Sequence, residues 1–291
     1  MKRILLFLFL LSSSGFAQAQ LERKLANPNQ PVDLTFHAPR HINLLTVEPL
    51  GPKTMHFSIM HTFGTVGSGV ENFFGLDNGA NIQFSFEFGL SEKLSLGVAR
   101  SSQDKVYSTF ARYHLLQQTQ SNSIPVSISV AGGVGIITNS YKFLPVSEQP
   151  DFQDRWVYSG QVMFARRFSP KFSAQASPMI ALFANPLSVY QIQGNQNFYL
   201  ALGLSGKWKV SERSSLTLQY IPNLNSKLRN NLGIGWDVEA GGHVFQMYFV
   251  TSQSLNEAYL LAGGNGVPGE GFRLGFNVNR VFAQGQKKGK N

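Results

Sequence analysis

His56, Ser58, Ser85 and Glu87 are residue types that together can carry acyl-transfer chemistry: a serine hydroxyl as nucleophile, an imidazole as base and a carboxylate to orient it. They lie on two stretches, 53–63 and 80–90, in which apolar residues alternate with polar or small ones. If the segment 64–79 closes a regular hairpin, opposed positions sum to about 143. His56 then faces Glu87 and Ser58 faces Ser85, all four on the polar side of the pair. Arg112 and His114 share that parity on a later stretch, near the same end. The alternative is a salt-bridge and hydrogen-bond network that fills a narrow interior and pairs its charges. No Gly-x-Ser-x-Gly elbow occurs, and the group sits low in the enclosed space. The network is the expected role, a membrane-embedded hydrolase is the remote one, and no catalytic residue is assigned.

Other candidate constellations are weaker. His37 and His41 are four residues apart, but in a Pro-rich segment where no helix would align them on a metal. Asp77-Asn78-Gly79 with Glu71 lacks the further carboxylates of a calcium loop, so Asn78-Gly79 is read as a turn. Gly263-Gly264-Asn265-Gly266 has no following Lys-Ser/Thr and is read as an external loop. No metal or cofactor is expected. The inward parity also collects Arg112, Arg155, Arg167, Lys207, Lys209 and Arg273 against Glu87, Asp237 and Glu239, so the interior is expected to lean positive and to favour small anionic solutes.

The elements that must position these residues follow from export and composition. Lys2 and Arg3, the apolar run Ile4 to Leu11 and the site Ala17-Gln18-Ala19 predict a signal peptide over 1–19 and Sec-type export. The chain of 291 residues has no cysteine, which excludes disulfides, thiol catalysis and a lipidated N-terminal cysteine. Charged residues make up only 14% and aromatics 12%, with 24 Phe and 28 Gly, yet the run Ile4 to Leu11 is too short to span a bilayer and no other stretch approaches twenty apolar residues. A transmembrane barrel reconciles these, because greasy outer residues and small or polar inner ones average out. The net charge of +9 suggests no nucleic-acid partner: Lys287, Lys288 and Lys290 lie in the tail, and the other basic residues are scattered.

Five prolines between residues 28 and 52 forbid a helix and mark 20–52 as a periplasmic arm, with a short strand over His41–Val47 lying either beneath the barrel or inside it as a plug. From residue 53 a period of two predicts twelve strands: 53–63, 80–90, 94–100, 106–116, 124–137, 155–168, 172–183, 198–210, 215–221, 232–240, 243–251 and 272–282, with ten or fourteen as alternatives. Short connections alternate with long ones, and Ser91-Glu92-Lys93, Ser169-Pro170-Lys171 and Ser211-Glu212-Arg213 share one turn form. Aromatics such as Phe88, Trp156, Phe168, Phe172, Trp208 and Phe282 fall near strand ends, as interfacial girdles require. The fold class is therefore all-β, a closed antiparallel transmembrane β-barrel with short periplasmic turns and long external loops. It spans 53–282 and is followed by a basic tail over 283–291.

His41-Ile42-Asn43-Leu44, the run from Met55 to Ser102 and the ending GFRLGFNVNRVF together resemble the outer-membrane β-barrel family of unknown function DUF5777, whose members are chiefly from Bacteroidetes. At His61-Thr62-Phe63-Gly64 the chain departs from the family's His-Arg-Phe-Gly form, so no role for that arginine carries over. The resemblance implies a barrel in the outer membrane of a Gram-negative bacterium, in contact with its lipid, and implies no activity. Two functions fit these readings: a small pore or solute channel, or a non-conducting scaffold or binding barrel for a periplasmic or extracellular partner.

Overall fold

The protein is described by a computed structural model over residues 29–192, 195–262 and 271–283. The signal segment, the start of the arm, the Gly263–Gly266 run and the basic tail beyond Ala283 lie outside the described residues. Two short strands, β1 (Arg40–His41) and β2 (Leu44–Leu45), form a hairpin of their own. Twelve more follow: β3 (Thr54–Thr65), β4 (Ala80–Gly89), β5 (Leu94–Ser101), β6 (Val106–Leu116), β7 (Ser127–Ile137), β8 (Trp156–Arg167), β9 (Phe172–Phe183), β10 (Phe198–Lys209), β11 (Ser214–Ile221), β12 (Asn231–Ala240), β13 (His243–Val250) and β14 (Arg273–Ala283). Each pairs antiparallel with its neighbour in sequence, and β14 closes the barrel on β3. The closed barrel wall itself therefore has no edge strand among the described residues.

The predicted register holds: His56 pairs with Glu87 and Ser58 with Ser85. Side-chain polarity is inside out relative to a soluble barrel. Asn81, Gln83, Ser85 and Glu87 of β4 are buried, while Phe84, Phe86 and Phe88 between them are exposed. The same outward apolar row runs through Leu96, Val98, Leu204, Leu216, Leu218 and Ile234. A broad, mainly apolar exterior of this kind needs lipid around it. At the short-turn end Phe168 stacks on Phe172 with ring centroids 5.6 Å apart, and Trp208 lies tilted against Phe172 at 5.8 Å.

Three expectations change. The strand predicted over 124–137 begins only at Ser127, because Pro125 has no N–H for the ladder and Ile124 is used to close a turn with Thr119. The strand predicted over His41–Val47 is a tight hairpin that turns at Ile42-Asn43, with Ile42 in the left-handed region (φ 53°). The segment 252–271 was expected as an external loop, yet residues 252–262 fold inward. Their helix α1 (Glu257–Ala262) is apolar at Ala258, Tyr259, Leu260, Leu261 and Ala262, and all five are buried. Burial of that run outweighs hydration of the loop.

The lipid-facing assignment is checked at Leu218, exposed in mid-strand on β11. Leu218→Arg is expected to lower stability in vesicles by about 2–4 kcal/mol in a urea titration of folding. The same change at Val210, at the β10–β11 turn, should cost about 0–1 kcal/mol.

Candidate functional site

The interior of the barrel is where the sequence candidates converge. Arg112 and Glu87 form its central ion pair, with Nη2 2.5 Å from Oε2 and both side chains buried. Ser95 donates to the other carboxylate oxygen of Glu87. His56 has Nδ1 4.0 Å from Glu87 Oε2, while its Nε2 lies 3.1 Å from Asn279 Oδ1. The network continues as Asn279 and Asn277 donate to Gln246 Oε1, and Gln246 donates to Asp237. His114 stands apart, with Nδ1 2.8 Å from Ser129 Oγ. Ser58 Oγ has no hydrogen-bond partner, so the structure sets no nucleophile against His56. Glu87 is held by Arg112 and Ser95 rather than committed to orienting the imidazole.

What the network holds is the chain's own N-terminal arm. The arm enters at the short-turn end, where Val32 N–H donates to the Gln118 carbonyl. It climbs the lumen, turns at Ile42-Asn43 and descends to β3. Residues 38–48 are all buried. A backbone in this position needs partners for its N–H and C=O groups. The wall supplies them from side chains. Arg112 Nη1 donates to the Pro39 and Thr46 carbonyls at 3.2 and 2.6 Å. Gln175 pairs with the arm as a strand would, accepting from Val47 N–H at 3.1 Å and donating to the Leu45 carbonyl at 2.8 Å. Asn277 donates to the Ile42 carbonyl, Gln246 to that of Arg40, and Gln219 accepts from Asn43 N–H. Where the arm joins the barrel, Gly51 passes so close to Gly89 that a Cβ there would collide with the Gly51 carbonyl. These four carboxamides, Gln175, Gln219, Gln246 and Asn277, carry no sequence signal of charge or nucleophilicity. All sit at inward parity on predicted strands, which was the available signal.

The second half of the lumen is closed from the long-loop end. Leu260 and Leu261 of α1 join Leu44 of the arm, Met179, Phe183 and Tyr199 in one buried apolar cluster. Asp104 accepts from the hydroxyls of Tyr259 (2.8 Å) and Tyr141 (3.1 Å), and from Gln191 N–H. The two inward segments touch at mid-lumen: Arg40 Nη2 lies 2.7 Å from Glu257 Oε1, and Asn43 Nδ2 donates to the Ser254 carbonyl.

These segments add charges to the lumen beyond those on the strands. Among the described residues the buried basic side chains Arg40, Arg112, Lys207 and Arg273 meet the buried acids Glu48, Glu87, Asp104 and Asp237. Glu48 and Asp104 come from the arm and a loop, which strand parity could not count. The other expected lumen cations sit elsewhere or are engaged. Arg155 precedes β8 and donates to the Ile137, Asn139 and Pro150 carbonyls, tying down a loop. Arg167 is at the rim beside Asp33, and Lys209 is half-buried near the same end. Arg273 donates to the Thr251 carbonyl. His37 Nε2 lies 2.8 Å from Ser215 Oγ and His41 Nε2 3.3 Å from the Leu218 carbonyl. Among the described residues no three His, Asp or Glu side chains cluster as a metal site.

Residues 36–282 match the family described as membrane bound beta barrel domain, DUF5777. The chain belongs to this family. The match begins at Phe36, inside the arm, so the family domain includes the segment that fills the lumen. Among solved structures the chain is similar to an outer membrane channel from Pseudomonas putida F1, with TM-score 0.46 and 15% identity over 81% of this chain and 97% of that one. It is also similar to the KdgM porin, with TM-score 0.44 and 6% identity over 78% and 96%. A third is LpxR from Salmonella typhimurium, with TM-score 0.35 and 10% identity over 79% and 99%. No curated protein matches in sequence.

Two measurements check this site. Glu87→Ala leaves Arg112 buried without its counter-charge and should cost about 3–5 kcal/mol in urea unfolding. The second concerns pH. Burial, aided by the Lys207 ammonium, pushes His37 and His41 down to about 4, and Glu239, half in solvent 3.7 Å from His37, does not reverse this. Both must be neutral while docked. Their share of arm stability is complete above the free value of 6.5 and is lost as pH falls from there toward 4, by about 1–2 kcal/mol per histidine at pH 5. Burial raises the Glu48 carboxyl, which contributes with the opposite sign. Limited proteolysis of the arm is therefore expected to accelerate between pH 7.5 and about 5, and His37→Gln/His41→Gln to flatten or invert the trend.

Proposed function

We propose that this protein is an outer-membrane barrel whose passage is held shut by two of its own segments, the N-terminal arm from the periplasmic end and residues 252–262 from the outer end. The observation that carries this reading is the burial of residues 38–48 within the lumen, with their backbone bonded to Arg112, Gln175, Gln219, Gln246 and Asn277 of the wall. A permanently open pore would not need side chains matched to a peptide backbone. At rest the barrel does not conduct, and displacement of the plugs admits small solutes. The alternation of inward polar with outward apolar residues supports the outer-membrane location, and the segment 1–19 supports Sec-type export. On this reading 20–52 is the arm, 53–282 the barrel and 283–291 a basic tail. A hydrolase role finds no support in a His56 engaged by Asn279 and a Ser58 without a base.

Planar-bilayer recording tests the proposal. The intact protein should give no steady current. Removal of residues 29–46 leaves α1 in place and should give only brief, low openings. Adding replacement of residues 253–262 by a Gly-Ser run should give steady channels, with folding checked by heat-modifiable gel mobility. Steady current from the intact protein would sink the plug reading. A folded but silent double variant would sink the passage.

A further inference from the structure

A polar cleft of about 610 Å³ opens at the short-turn end, between the arm entrance, the turn after β6 and the turn after β8. Asp33, Gln120, Asn122, Arg166, Arg167 and Ser169 line it. Gln118 holds the Arg167 backbone from both sides, accepting from its N–H at 2.8 Å and donating to its carbonyl at 3.0 Å, so the guanidinium projects from a fixed base. Arg167 Nη1 is 3.3 Å from Asp33 Oδ2, whose side chain is 84% exposed. Arg166 donates through Nη2 to Asn122 Oδ1 and lies over the Phe168 ring, while its Nε is buried without a partner. Ser169 Oγ accepts from Lys171 and Phe172 N–H, which leaves its own proton to donate.

The cleft thus presents two guanidiniums against one largely hydrated carboxylate. We propose that it binds an anionic phosphate group, which Arg167 and Arg166 engage through charge-assisted hydrogen bonds and Ser169 completes. The bound anion replaces Asp33 on Arg167. Strand parity puts Arg166 and Phe168 on the lipid side and Arg167 on the lumen side, so the group can come from a phospholipid headgroup or from a soluble phosphate. Because Asp33 belongs to the arm, occupancy releases one of the arm's rim contacts. That consequence rests on the plug reading, whereas the binding itself does not.

The test uses the full mature chain in nanodiscs. In phosphatidylcholine discs, titration with inorganic phosphate followed by calorimetry reads the soluble source. In discs containing phosphatidylglycerol, native mass spectrometry of retained lipid reads the headgroup source. Saturable phosphate binding or selective phosphatidylglycerol retention is expected in the wild type. Arg167→Gln should weaken either by about tenfold or more, the loss of a charge-assisted pair. Asp33→Asn should strengthen it severalfold by removing the competitor. Absence of both signals in wild type and Asp33→Asn, or binding indifferent to Arg166→Gln and Arg167→Gln, would overturn the proposal. Circular dichroism of each variant separates lost binding from lost fold. Neither readout involves conductance, so a failure here leaves the plug reading standing, and a conducting wild type that still binds phosphate would fail that reading alone.

Discussion

A lipid bilayer offers no hydrogen bonds, and nearly everything else in this structure follows from that constraint. Each strand must satisfy its backbone on both edges, so the sheet has to close, and β14 returns to β3. Once closed, the wall has one face toward hydrocarbon and one toward the interior. The period-two alternation then sorts Phe84, Phe86 and Phe88 outward and Gln83, Ser85 and Glu87 inward. The polar interior is the necessary other half of a chain that presents an apolar face to lipid.

That interior creates a second requirement. Carboxamides and charges removed from bulk water must find partners or bear the cost of desolvation. Here much of the partnering is done by a peptide. Gln175 offers the arm one donor and one acceptor in the spacing of a neighbouring strand, and Arg112 bridges both limbs of the hairpin through the Pro39 and Thr46 carbonyls. Each such bond contributes only about 0.5–1.5 kcal/mol net, or about 1.5–3 kcal/mol where a charge is involved. Their arrangement therefore suits an element held by many modest contacts that can be undone together. The outer half uses different physics, with α1 packed among Met179, Phe183 and Tyr199. Arg40 and Glu257 join the two halves by an ion pair.

The fold was largely legible in the residue order. Alternation is a local property of strands in a barrel, and the register of β3 on β4 followed from hairpin arithmetic because no bulge interrupts that pair. The pairing of His56 with Glu87 and the shared face of Arg112 were readable for the same reason. What the polar cluster is for was not. Parity says that a side chain points inward without saying what it meets there, so Glu87 could be read equally as a catalytic orienter or as the counter-ion of Arg112. Gln175, Gln219 and Gln246 are silent in the sequence because a neutral amide gives no signal of charge or nucleophilicity, although two complementary groups on one side chain suit it to hold a backbone.

The sequence by itself determined a membrane barrel of about twelve strands, the inward or outward parity along each strand and where its short turns lie, because each of these depends on a period of two and on turn residues close in the chain. The tertiary structure alone decided that the lumen is filled. The reason is sequence separation: the contact of Arg40 with Glu257, or of Asn277 with the Ile42 carbonyl, joins residues more than two hundred positions apart. It exists only once closure of the barrel brings the wall around the arm.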